Sequence, residues 1–182
     1  MTPTISMKRP GSTHTCALLD DGAVKCWGVN SHGDLGQGDL AAHGCAPGKM
    51  GDHLAPIDLG TGRRALAIAA GDDFACALLD DGRIKCWGRG LFVGLGDGKD
   101  HGDQPGEMGD HLPAVDLGTG RTALALSTSP TSTCALLDDR IFDSADLVSL
   151  FASGQYDQPS GVASWKTGDF DGDGRFDSFD LI

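Results

Sequence analysis

The sequence predicts a mainly β protein assembled from repeated units and followed by a short helical segment, and three observations carry that reading. The first is composition: of 26 acidic residues only Glu107 is a glutamate, and the remaining 25 aspartates stand beside 28 glycines. Both residue types favour turns and caps over helix interiors, so a long helical bundle is excluded. The second is self-similarity. HTCALLDDGAVKCWG (residues 14–28) returns as FACALLDDGRIKCWG (74–88), and its first half returns as STCALLDD (132–139). Between these copies, GKMGDHLAPIDLGTGR (48–63) returns as GEMGDHLPAVDLGTGR (106–121). The third is a change of character after Asp139, where this pattern stops and a new pair begins, FDSADLV (142–148) and FDSFDLI (176–182).

The units follow in order: a tail over 1–10, a first repeat over 11–70, a second over 71–128, a partial third over 129–139 and a separate module over 140–182. Each full repeat opens with a hairpin. A short apolar strand runs into the turn Asp20-Asp21-Gly22 or Asp80-Asp81-Gly82, and a second strand ends in Cys-Trp-Gly. Glycine at the third turn position suits a bulged three-residue loop. Pairing about Asp21 sets Leu18 opposite Val24 and Cys16 opposite Cys26; pairing about Asp81 sets Cys76 opposite Cys86. Positions directly across a ladder lie within disulfide reach, which makes Cys16–Cys26 and Cys76–Cys86 candidate disulfides. Two other readings stand beside this one: buried thiols used as small hydrophobes, and zinc, whose CxxC spacing is absent.

Cys45 and Cys134 fall outside both pairs and are the candidate thiols not engaged in a disulfide. The mirror of Cys134 about Asp139 is Ser144, so the third hairpin is expected to be lost. Apolar residues occupy both faces of each hairpin strand, as in a sheet buried on both sides. ALAIAAG (65–71) and ALALS (123–127) supply a further apolar strand. Short strands, glycine-rich turns and a period near 60 residues fit four-stranded β-propeller blades, here two full and one partial.

The pattern around Gly11, His14, Cys16, Trp27, Gly28, Asn30, Gly33, Leu35, Gly36 and Gly38 resembles the regulator of chromosome condensation repeat over about residues 11–139. The resemblance implies seven-bladed propellers whose top or bottom loops bind protein partners. The cysteine-paired variant looks like a bacterial extracellular form of the repeat. Two complete repeats fall short of a closed ring and leave blade faces and strand edges open, so the chain is expected to be a fragment or to associate with copies of itself.

In the last module, Ser144 is placed to cap a helix with the apolar stripe Leu147, Leu150 and Phe151, stopped by Gly154. DFDGDGRFDSFD (169–180) then sets oxygens at calcium-loop positions 1, 3, 5, 7, 9 and 12: Asp169, Asp171, Asp173, the Arg175 carbonyl, Asp177 and Asp180, with Gly174 at the sharp turn. Calcium takes six to eight hard oxygen ligands, which explains the alternating carboxylates. The duplicated loop-and-helix arrangement resembles a dockerin type I module, which implies calcium-dependent docking onto a cohesin-like domain. Asp180 stands where glutamate is usual, and two departures mark the module: the first loop carries Ala135 and Leu137 where ligands belong and Arg140 where glycine is expected, and Ile182 falls two residues past position 12, short of the helix expected to buttress the loop.

The formal net charge is −12, of which −7 falls in residues 129–182, and this argues against a nucleic-acid partner. No run of apolar residues reaches the length of a membrane span. The start, MTPTISMKRPGS, lacks the apolar centre of a signal peptide; the cysteine pairs nevertheless point to a secreted or cell-surface chain, with the cytoplasm as the alternative. The glycine-rich segments 33–39 and 94–100 lack the Gly-Lys-Ser/Thr ending of a phosphate loop. The recurring His43/His101 and His53/His111 read as exposed turn residues rather than metal ligands. The expectation is therefore a non-enzymatic protein-interaction module with a calcium-binding tail. The alternatives are a calcium-dependent attachment module with the repeats as spacer, or a recombined fragment without activity of its own.

Overall fold

The computed structural model describes residues 7–10, 13–138 and 147–150. Nine strands form three separate antiparallel sheets of three strands each among these residues. Sheet 1 orders β1 (Met7–Pro10), β2 (His14–Leu18) and β3 (Val24–Gly28); sheet 2 orders β4 (Ala65–Ala70), β5 (Phe74–Leu79) and β6 (Ile84–Gly88); sheet 3 orders β7 (Ala123–Thr128), β8 (Thr133–Leu137) and β9 (Leu147–Leu150). The expected register holds. Cys16 faces Cys26, Leu18 faces Val24 and Cys76 faces Cys86. The Leu19 amide donates to Ala23 O (2.8 Å) and the Gly22 amide to Leu19 O (3.0 Å), closing the three-residue loop 20–22. Gly22 and Gly82 sit there at φ +83° and +76°, a region L side chains rarely adopt.

Three features depart from the sequence reading. Met7–Pro10, placed by the sequence in the N-terminal tail, pairs with β2 as its outer neighbour. The apolar segment that ends each repeat in the sequence opens the next sheet: β4 pairs with β5, and β7 with β8. Among the described residues the sheets also hold three strands rather than four. The fourth position is reduced to a single bridge pair, Gly28 with His43 and Gly88 with His101, because the intervening loop turns repeatedly through left-handed glycines such as Gly33, Gly36 and Gly38. The helix expected from Ser144 is a further correction. Leu147–Leu150 is a strand pairing with β8, Cys134 opposite Ser149. The third hairpin, expected to be lost, is therefore present in another register: β8 and β9 pair antiparallel, with Ser149 rather than Ser144 opposite Cys134, and the free edge of β8 offers Leu147–Leu150 its ladder.

The sheets stack through their faces. Cys16, Leu18, Val24 and Cys26 of sheet 1 pack with Ala75, Ala77, Leu79 and Trp87 of sheet 2. The opposite face of sheet 2, Phe74, Cys76, Leu78, Ile84 and Cys86, packs with Ala123, Ala135 and Leu137 of sheet 3. Every residue of β5 and β6 is therefore buried. Loops 54–59 and 112–117 follow short 3₁₀ turns at Gly51–His53 and Gly109–His111, and each plugs a seam, with Ile57, Leu59 and Leu112 in the first cluster and Val115 and Leu117 in the second. No helix among the described residues is long and apolar enough to cross a membrane.

Candidate interaction surface

Two ends of the stack carry its loops. At the hairpin-turn end the loops are bound in series across the seams: the Ala65 amide donates to Gly22 O (2.9 Å), the Asp80 amide to Arg64 O (2.9 Å) and the Ala123 amide to Gly82 O (2.7 Å). Arg63 reaches Asp80 (3.2 Å) and Asp81 (2.8 Å), and Arg83 pairs with Asp81 at 2.7 Å. Burial pushes the Asp81 carboxyl up, but the hydrogen bonds and charge of Arg83 outweigh it and hold it below the usual carboxylate range. The Thr61 hydroxyl (2.6 Å) and amide (3.0 Å) donate to Asp110 and lower its carboxyl in the same way. Lys85, only 4% exposed, threads its stem through this end and donates to Leu59 O (3.1 Å) and Gly109 O (2.6 Å). Asp20, Asp21, Gly22, Arg64, Ala65, Leu66 and Asp80 line a shallow cleft of about 200 Å³. Its backbone is tied by the Ala65–Gly22 and Asp80–Arg64 bonds, and the Asp80 side chain is held by Arg63.

The glycine-loop end is different, because here the two repeats diverge in sequence. Residues 29–34 read Val-Asn-Ser-His-Gly-Asp, and residues 89–92 read Arg-Gly-Leu-Phe. Backbone hydrogen bonds make the framework common to both: the Gly28 and Gly88 amides donate to His43 O (2.9 Å) and His101 O (2.8 Å). Gly88, at φ +105°, has no room for a Cβ, which would lie 2.5 Å from Asp73 O. On that framework Val29, Leu40 and Leu91 stand exposed at 44%, 54% and 61%. The same loops carry paired polar groups: His32 meets Asp100 at 2.8 Å, and Arg89 pairs with Asp73 at 3.4 Å while lying over the Phe92 ring at 5.2 Å. Exposed apolar side chains on loops that also carry charged groups have the composition of a protein-binding surface.

Beneath the patch lie two buried groups that no sequence motif announced. Asp34 is fully buried, and neither carboxylate oxygen makes a hydrogen bond of normal geometry. Burial and then the charge of Asp73 push its carboxyl up to about 6, offset only in part by His32 and the backbone of His32 and Ser31. Its backbone oxygen does bind, accepting the Trp87 indole N–H at 3.0 Å across the first seam. His14 is 3% exposed and both ring nitrogens lack partners; burial lowers its pKa. The repeat held a signal for His14, since its counterpart is the core residue Phe74. Asp34 carried none: the backbone of Gly102 and Asp103 of the next repeat closes over the adjacent Gly33, and Trp87 reaches Asp34 itself across the seam.

The predicted site residues distribute as follows. Cys16–Cys26 and Cys76–Cys86 are disulfides with Cα separations of 4.1 and 4.0 Å. Each sits midway in a hairpin at a position without ladder hydrogen bonds, where paired strands approach most closely. Cys45 is exposed, its Sγ 3.4 Å from His43 O, and Cys134 is exposed on sheet 3. His43 and His101, expected as exposed turn residues, are instead half-buried and bonded to Asp39 (3.0 Å) and Asp97 (3.1 Å), four residues earlier in each case. His53 and His111 are exposed. Ala135 and Leu137, at ligand positions of the degenerate first calcium loop, are buried in β8. The second loop, Asp169 to Asp180, lies outside the described residues. Among the described residues no group of three His, Cys, Asp or Glu side chains is placed to hold a metal ion.

Comparison with known proteins fits this architecture. Residues 11–34 and 66–92 match the Regulator of chromosome condensation (RCC1) repeat. Over 81 residues the chain is 36% identical to serine/threonine-protein kinase Nek9 of Xenopus laevis, covering 44% of this chain and 8% of the kinase. Over 94 residues it is 35% identical to the ultraviolet-B receptor UVR8 of Arabidopsis thaliana, covering 50% of this chain and 19% of the receptor. The chain thus spans less than a fifth of these two relatives. The crystal structure of human WBSCR16 superposes with a TM-score of 0.55 at 15% identity, over 82% of this chain and 38% of that one, a likeness of fold. Residues 11–34 and 66–92 are thus similar to RCC1 repeats, and the three small sheets are consistent with partial blades of an RCC1-like propeller.

Proposed function

We propose that the chain is a non-enzymatic protein-interaction module that binds a protein partner through its glycine-loop end. One observation carries the reading. The framework of that end is shared between the repeats, while the residues displayed on it, Val29, Leu40, Leu91 and Arg89, differ from one repeat to the next. Common backbone with divergent exposed side chains is how a scaffold presents specificity. The relatives support it from another side: a protein kinase and a light receptor both carry matching segments, so the repeat accompanies unrelated activities rather than supplying one. Two disulfides favour an oxidising compartment, the cell surface or beyond.

The test is capture of surface proteins by the immobilised full chain, compared with Leu91→Asp and Val29→Asp on the glycine-loop end and Leu66→Asp on the turn end. A partner lost to the first two and kept by the third supports the reading; a partner indifferent to all three, or lost only with Leu66→Asp, removes it. A second reading is favoured by the oxygen spacing of Asp169, Asp171, Asp173, the Arg175 carbonyl, Asp177 and Asp180. There the tail binds calcium and attaches the chain to a cohesin-like domain. Calorimetric titration with calcium against Asp173→Ala decides it, since equal heats from both proteins exclude the site.

A further inference from the structure

We infer that residues 31–34 are a proton-controlled lid at the glycine-loop end, closed while the Asp34 carboxyl is neutral and swinging outward to hydrate it once it is charged. The lid is a property of this loop and stands or falls independently of the binding reading above.

Three observations carry it. The first is the setting of Asp34, which is fully buried with neither carboxylate oxygen in a hydrogen bond of normal geometry. The cations nearby are spent elsewhere, Arg89 on Asp73 and His32 on Asp100. A buried charge without a partner is costly, and the neutral acid is far less so.

The second is a pinned neck. Asn30, 1% exposed, accepts the Leu35 amide on its side-chain oxygen at 2.9 Å and donates to Asp39 O at 2.7 Å. Asn30 and the buried Leu35 therefore stay anchored while the four residues between them move, and Gly33 and Gly36, at φ +78° and +61°, give the loop its hinges. The third is how little holds the lid down. His32 binds Asp100 at 2.8 Å, Asp34 O accepts the Trp87 indole at 3.0 Å and Gly33 O accepts the Gly36 amide at 2.8 Å. None of residues 31–34 belongs to either apolar cluster.

The charged groups facing Asp34 are His32 on the lid and Asp73 ahead of β5, with Asp100 and Arg89 of the second loop paired to these two. Asp103 offers its backbone to Gly33, and the Glu107 carboxylate is taken by the Gly102 and Gln104 amides. His14 of β2 lies in the field of the same Asp73 and of Asp72. Burial and then Asp73 raise the carboxyl from 3.8 to about 6. Closure is therefore favoured in full below 3.8 and loses ground as pH rises through about 6.

Exchange of single N–H groups with deuterium, followed by two-dimensional NMR of the full chain and corrected for intrinsic rates, tests this. The Trp87 indole and the Gly36 amide report the lid; the Leu35 amide reports its neck, and the Gly88 amide, bonded to His101 O, the rest of this end. Protection of the first two should fall on the order of 50-fold between pH 4 and pH 8, while the other two hold. Asp34→Asn should lack that fall. Asp73→Asn keeps the carboxyl but removes the neighbouring charge, so it should show a smaller fall, and it serves if Asp34→Asn does not fold. His14 is common to all three proteins and cancels in the comparison. Equal loss at all four groups overturns the lid, since the charge would then be relieved only by unfolding of the whole. So does protection that ignores pH, or that falls as steeply in the variants as in the wild type.

Discussion

Replacing Asp34 by asparagine should stabilise the protein at neutral and alkaline pH and leave it unchanged in acid. Asp34 is fully buried with both carboxylate oxygens unbonded, and its carboxyl is raised from the ordinary 3.8 to about 6. A raised acid means the fold disfavours the charged form. Below 3.8 the group is neutral folded or unfolded, and no penalty exists. Between 3.8 and about 6 the penalty grows with pH, and above 6 it is complete. Two units correspond to about 3 kcal/mol. Asparagine keeps the shape without the charge, and the Trp87 bond survives because it is made to the Asp34 backbone oxygen. For a chain of this size the expected rise in Tm is roughly 6–12 °C at pH 8, falling to nothing near pH 4. Urea or thermal unfolding of both proteins at a series of pH values measures the difference directly, and other titrating groups cancel in it. A difference that is the same at pH 4 and pH 8 would refute the assignment of the penalty to Asp34.

The other expectations are simpler. His14→Phe imposes the residue of the second repeat on the first; because burial lowers the His14 pKa, wild-type stability drops as pH falls through the unfolded value of about 6.5, and the variant should lose that drop in an acid unfolding series. Replacing Cys76 and Cys86 by alanine opens a loop of sequence separation 10 and should cost about 2–3 kcal/mol, read as a shifted urea midpoint that reductant then moves only through the remaining Cys16–Cys26 bond. Gly88→Ala forces a side chain into φ +105° with its Cβ 2.5 Å from Asp73 O; a loss of about 1–3 kcal/mol is expected, and an unchanged Tm would contradict the tight approach of these strands.

What was legible in the sequence followed from local symmetry. The Asp-Asp-Gly turn fixes where each hairpin folds, and reflection about it pairs the cysteines correctly without any tertiary information. The stacking was visible in the apolar residues on both faces of β5. The C-terminal strand was not, because Leu147, Leu150 and Phe151 satisfy a helical stripe as well as Leu-Val-Ser-Leu satisfies a strand; the choice is made by β8, whose free edge is a tertiary fact. The buried Asp34 was equally hidden. Gly-Asp-Leu-Gly reads as an exposed turn, yet the backbone of Gly102 and Asp103, almost 70 residues away, closes over Gly33, and Trp87 binds the Asp34 backbone oxygen. His43 and His101 recur on a polar loop, which suggested exposure, yet each is held by an aspartate that the same repeat supplies.

The distribution of the two disulfides also sets how the chain would yield to a pulling force. Cys16–Cys26 and Cys76–Cys86 each short-circuit a hairpin, so tension along the backbone passes through sulfur and the turn residues between the cysteines bear none. Sheet 3 has no such bypass, since Cys134 lies opposite Ser149. Its β8–β9 ladder must carry the load through hydrogen bonds alone, so tension that opens this hairpin leaves the β2–β3 and β5–β6 hairpins clasped.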